Sequence, residues 1–132
     1  MDWLLLMQEI TRSPTKPTEA RFKAIFGVEI NVVNEIVKYI PSHQFNPTHV
    51  LYYFFFIKCY PNSGLAAVFL NTSEATFLRV VFSINELLYL VLPKPKWESR
   101  LVAVHDEKFR YALTAIDTTD VIIETPSRLY LL

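Results

Sequence analysis

Apolar residues recur at helical spacing through most of this chain, and the pattern changes character only toward its C-terminal end. Trp3, Leu6, Met7 and Ile10 fall on one helical face behind Asp2, whose short carboxylate suits an N-cap. Ser13-Pro14-Thr15-Lys16-Pro17 breaks this helix, because each proline removes a backbone donor and fixes φ. Thr18 then caps a second helix over Glu19–Phe26, with Gly27 placed to end it in the left-handed conformation. Ile30, Val33, Ile36, Val37 and Ile40 predict a third helix over 30–40, stopped by Pro41.

The middle of the chain is more apolar still. Asn46-Pro47 pairs an N-cap with proline at the first helical position. The helix it opens, to about residue 59, is apolar on nearly every side from Val50 to Ile57, the pattern of a central buried helix. Pro61 ends it. Asn62 or Ser63 caps a short helix over 64–70, and Asn71-Thr72 makes a tight turn. Ser73 caps the last helix, whose stripe is Phe77, Val80, Val81, Ile84, Leu87, Leu88 and Val91.

After Pro93-Lys94-Pro95-Lys96 the helical period is lost, apart from a helical turn at 97–101. Residues 111–116 and 121–124 read as two strands joined by Asp117-Thr118-Thr119-Asp120. The expected architecture is therefore mainly α. It has a helical domain at 1–92 containing a helix-turn-helix at about 46–91, a linker at 93–110 and a β-hairpin fragment at 111–132.

Composition narrows the function classes. At 132 residues with 52% hydrophobic and 20% charged, the chain has material for one packed core and little tendency to disorder. Its formal net charge is +0, without the basic excess usual in free-standing nucleic-acid binders. The charge is also uneven: residues 41–92 hold only Lys58, Arg79, Glu74 and Glu86. Lys16, Arg21, Lys23, Lys94 and Lys96 form small basic clusters that acidic neighbours offset. Cys59 is the one cysteine, which excludes an intrachain disulfide and a cysteine metal cluster and points to a reducing, intracellular compartment. His43, His49 and His105 lack zinc-ligand spacing. The start lacks the basic n-region of a signal peptide, and the longest apolar run is far short of the ~20 residues that span a bilayer. No membrane association is expected. With two glycines, a Gly-rich phosphate loop is ruled out.

Two constellations carry candidate chemistry. A long helix, a short helix, a turn and a longer capped helix is the order of a helix-turn-helix, whose last helix enters the DNA major groove by its first turns. Ser73, Thr76 and Arg79 are the candidate DNA-binding residues, with Glu74 beside them. Arg79 suits guanine or phosphate, and Thr76 suits phosphate. The same helix order also describes a plain three-helix bundle without a nucleic-acid role. The second constellation is Asp117 and Asp120. Carboxylates fixed by a strand can hold the divalent ions of a two-metal nuclease, and Asp-Thr-Thr-Asp is equally good turn chemistry.

The order of these pieces resembles the N-terminal region of eukaryotic DDE-superfamily transposases, the Harbinger-like endonucleases with a helix-turn-helix ahead of the catalytic fold. Four stretches carry the likeness: Arg21-Phe-Lys-Ala-Ile-Phe-Gly-Val28, the helix from Pro47 through Leu51-Tyr-Tyr-Phe to Pro61, Thr72-Ser-Glu-Ala-Thr-Phe-Leu-Arg79, and Ala115-Ile-Asp-Thr-Thr-Asp-Val-Ile-Ile-Glu-Thr-Pro126. The likeness implies that the hairpin is the truncated start of an RNase H-like fold. It implies that Asp117 is the first catalytic acid and a metal ligand, and that Mg2+ or Mn2+ would be the cofactor once the missing acids complete the site. Thr118 departs from the family's glycine, and the family's later Asp and Glu do not follow before Leu132.

The expected function is therefore DNA binding by a transposase-like protein, nuclear and catalytically incomplete on its own. The expected partners are double-stranded DNA and either a second copy or a chain that completes the nuclease fold. The alternative is a helical interaction or dimerisation module from a decayed or domesticated transposon.

Overall fold

The computed structural model describes residues 1–94. The expected hairpin, most of the linker, His105, Asp117 and Asp120 lie outside the described residues. Within them the chain is helical throughout: α1 Trp3–Thr11, α2 Glu19–Phe26, α3 Ile30–Val37, α4 Pro47–Cys59, α5 Ser63–Phe69 and α6 Glu74–Val91, with a single 3-10 turn at Ser42–Gln44.

Local chemistry sets most of the boundaries. The Asp2 carboxylate accepts from the backbone N–H groups of Leu4 and Leu5, both at 3.1 Å. Thr18 caps α2 through the Arg21 N–H, and Asn46 caps α4 through Thr48 and His49. Gly27 sits at φ 75°, and a Cβ there would lie 2.9 Å from the Lys58 side chain, so both backbone and packing demand glycine.

The third helix departs from expectation. It ends at Val37, not near residue 40. Tyr39 and Ile40 donate instead to Ile36 and Val37 in a tightened turn, each at 3.1 Å. Pro41 disfavours helical ψ at Ile40, and the turn delivers Ile40 into the core, where it is 6% exposed. The fifth helix begins at Ser63 rather than 64, because Asn62 accepts from the Gly64 N–H at 2.8 Å and so takes the cap.

The core is built around α4. It packs against α6 on one side and α2 on another, burying Val50, Leu51, Tyr52, Phe54 and Phe55. Helix α2 contributes Phe22 and Phe26, whose rings are 4.8 Å apart. From α6, Phe77 is wholly buried against Tyr52 at 6.0 Å and Phe56 at 6.3 Å. Phe69 of α5 stacks on Phe55 at 5.0 Å. The Trp3 indole N–H donates to Asn34 Oδ1 at 2.8 Å and ties α1 to α3. Among the described residues no polar or charged side chain is buried, so apolar packing holds this unit together.

Candidate nucleic-acid interface

Helices α5 and α6 meet at 97°. Their connection is Leu70 to Ser73, and Leu70 is 2% exposed, so the corner is anchored from inside. Asn71 takes φ 54°, the left-handed conformation that ends a helix. Its N–H donates to Val68 at 3.3 Å, and the Thr72 N–H donates to Ala67 at 2.9 Å. These two bonds form a Schellman motif, with asparagine where glycine is more usual. Asn71→Gly is expected to be neutral or slightly stabilising. Asn71→Val should cost on the order of 1 kcal/mol, because a β-branched side chain clashes in this conformation. Chemical denaturation of the two variants checks this, and a Val variant as stable as the Gly variant would contradict it.

The first turn of α6 is closed by its own side chains. Ser73 Oγ accepts from the Thr76 N–H at 3.2 Å and donates its hydroxyl proton to Thr76 Oγ1 at 2.8 Å. Ser63 at the start of α5 donates to Glu74 Oε2 at 3.0 Å, which fastens the beginnings of the two helices together. Of the three candidate DNA-binding residues, the structure joins Ser73 and Thr76 in one hydrogen-bonded cap. Arg79 stands one turn further on, exposed and without a hydrogen bond or ion pair among the described residues.

Helix α6 has two distinct faces. Phe77, Val80, Val81, Ile84 and Leu88 are buried. Ala75, Arg79, Phe82 and Glu86 follow one another along the opposite face, all exposed. The spacing of four, three and four residues keeps them in line. Arg79 is the one Lys or Arg between residues 62 and 91, so the corner carries little positive charge of its own.

His49, in the first turn of α4, lies within electrostatic reach of Arg79. Partial burial, and then the Arg79 cation, hold its pKa below the ordinary histidine value. No sequence motif linked these two residues; the packing of α4 on α6 brings them near each other. His49 also lies 6.3 Å from the Tyr52 ring.

A groove of about 320 Å³ runs between α4 and α6, lined by Tyr53, Phe56, Ile57, Tyr60 and Phe82 among others, with no charged residue in its lining. On its rim Tyr60 is 78% exposed and Phe82 61%. Helix α5 turns Leu65 and Val68 to solvent. Cys59 is exposed, its thiol directed at the Ile25 carbonyl oxygen at 3.6 Å. Among the described residues no three His, Cys, Asp or Glu side chains gather where they could hold a metal ion. No single described helix is long and apolar enough to cross a membrane; α5 and α6 reach that composition only as a pair, bent at 97°.

Comparison with known proteins finds no matching family model, no similar curated protein and no similar solved structure.

Proposed function

We propose that this chain is the DNA-binding N-terminal portion of a transposase-like protein, with α4, α5 and α6 as its helix-turn-helix. The observation that carries the reading is the 97° crossing of α5 and α6 over a four-residue turn, with the solvent face of α6 open from Ala75 to Arg79. Helix-turn-helix units cross at ~90–120° and read the major groove with the first turns of the second helix. The resemblance of 21–126 to Harbinger-like transposases supports the same assignment. Arg79 is the base- or phosphate-contacting residue in this reading. Ser73 shapes the helix start through its bonds to Thr76, which leaves the Thr76 hydroxyl proton to donate to a DNA phosphate.

Strand cleavage is not part of the proposal for this portion. Two-metal hydrolysis needs carboxylates brought together from several places in a fold. Asp117 and Asp120 would supply part of such a set for Mg2+ or Mn2+. The nuclear compartment follows from the DNA-binding reading and stands or falls with it.

Fluorescence anisotropy with a mixed-sequence duplex, repeated across a salt series, tests the proposal. Few cations face the DNA, so the slope of log K against log salt should be shallow, about −1 to −3 for one to three neutralised phosphates at ~0.9 each. Absence of binding at low salt would sink the reading.

A second reading rests on a different observation. Leu65 at 71% and Val68 at 83% exposure on α5, together with the uncharged groove between α4 and α6, form apolar surface suited to a protein partner or a second copy. Under this reading sedimentation shows association, while anisotropy shows no DNA binding.

A further inference from the structure

The groove between α4 and α6 takes one stripe from each helix. Tyr53, Ile57 and Tyr60, four and three residues apart, line it from α4, and Phe82 and Asn85 line it from α6. Leu78 lies one turn before Phe82 on the same side of α6 and is half-buried. The two walls are already tied together, because the Tyr53 hydroxyl donates to Asn85 Oδ1 at 3.1 Å. Two packed helices that each turn such a stripe outward offer half of a helical bundle.

We propose that this groove closes on the same groove of a second copy, in an isologous two-fold dimer whose seam is Ile57, Tyr60 and Phe82 from each chain. This rests on the second reading above, that of an apolar interaction surface, and adds the partner and the surface it uses. Leu65 and Val68 of α5 stay outside the seam.

Area and charge both favour a second copy. Ile57 is 42% exposed, Tyr60 78% and Phe82 61%. At ~200 Å² for a large side chain, these three leave roughly 350 Å² of apolar surface on each copy, or about 700 Å² over a pair. A standard interface covers ~1,600 Å² in total, about two-thirds of it apolar when the partners are identical. The three residues thus supply most of the apolar area a stable dimer needs, and the partly exposed Tyr53 and Leu78 border them with more. Among the described residues the lining carries no charge. A two-fold contact sets a surface against itself, so a lining of one charge sign would repel its copy and an uncharged one does not. Asn85 adds direction. Its Oδ1 is taken by Tyr53 and its amide N–H groups make no other hydrogen bond among the described residues, so they can donate across the seam. One asparagine in an apolar seam fixes register and copy number.

The test is sedimentation velocity of the full chain over a concentration series, with reductant so that the exposed Cys59 cannot link copies. The expected result is a reversible dimer with a dissociation constant in the micromolar range. Phe82→Glu should weaken it by at least about tenfold, because the seam would then bury unpaired carboxylates. Tyr60→Lys, on the other wall, should weaken it likewise, while Leu65→Glu on α5 leaves it unchanged. All three positions are exposed, so circular dichroism should show each variant folded. A chain that stays monomeric at submillimolar concentration would overturn the inference, leaving a partner of different sequence to the broader reading. Association that Leu65→Glu abolishes and Phe82→Glu spares would keep the interaction surface and overturn the groove as its seam.

Discussion

Replacing Phe77 with alanine is expected to remove about 3–5 kcal/mol of folding stability. Phe77 has no exposed surface and meets the rings of both Tyr52 and Phe56 across the α4–α6 interface. Truncation would lose the transfer free energy of the ring and leave a cavity among side chains held by several helices, which cannot all collapse into it. Domains of this size have net stabilities of ~5–15 kcal/mol, so the variant should unfold at markedly lower urea concentration or fail to fold at all. Phe82→Ala is the control. Phe82 is largely exposed on the same helix, and its removal should change stability by no more than about 0.5 kcal/mol. If the two variants unfolded at the same urea concentration, the assignment of the α6 core face would be wrong.

The second large effect concerns binding. Arg79→Ala is expected to weaken duplex affinity by about 1–3 kcal/mol, roughly five- to 150-fold, if Arg79 makes a bidentate contact to guanine. Thermal unfolding should be almost unchanged. Arg79 is exposed and makes no hydrogen bond or ion pair among the described residues, so the packing of those residues loses nothing measurable with it. Arg79→Lys should recover only part of the affinity, because an ammonium keeps the charge but not the planar fork. Unchanged affinity in Arg79→Ala would remove α6 as the reading helix and shift attention to the apolar surface of α5 and the α4–α6 groove. Removing the cation should also raise the pKa of His49 toward its ordinary value, since Arg79 contributes to its depression. Histidine titration by NMR reports this independently of DNA.

The amino-acid sequence by itself determined nearly every helix start. Asp2, Thr18, Asn46 and Ser73 each cap through an oxygen that reaches a backbone N–H only two or three residues away. Gly27 likewise ends its helix by a local preference for positive φ. The faces of α6 were legible for the same reason, since the period of apolar positions is a property of the helix alone. The candidate site was legible to that extent: Ser73, Thr76 and Arg79 stand at the start of a helix that could be drawn beforehand.

Tertiary structure decided the rest. Ile30 through Ile40 satisfies a helical pattern, but α3 stops at Val37 because Pro41 and the core together call for a turn that buries Ile40. Helix α4 is apolar on nearly all sides, so its sequence names no preferred partner; only packing chose α6 and α2 and left a groove beside Tyr60 and Phe82. Asn71 adopts a conformation in which asparagine and glycine are the two usual choices, and the bonds back to Ala67 and Val68 select it. The 97° corner is anchored by the buried Leu70, and the approach of His49 to Arg79 joins residues far apart in the chain. Short-range hydrogen bonds are written in neighbouring residues, whereas the angle between two helices is set by which side chains fill the space between them.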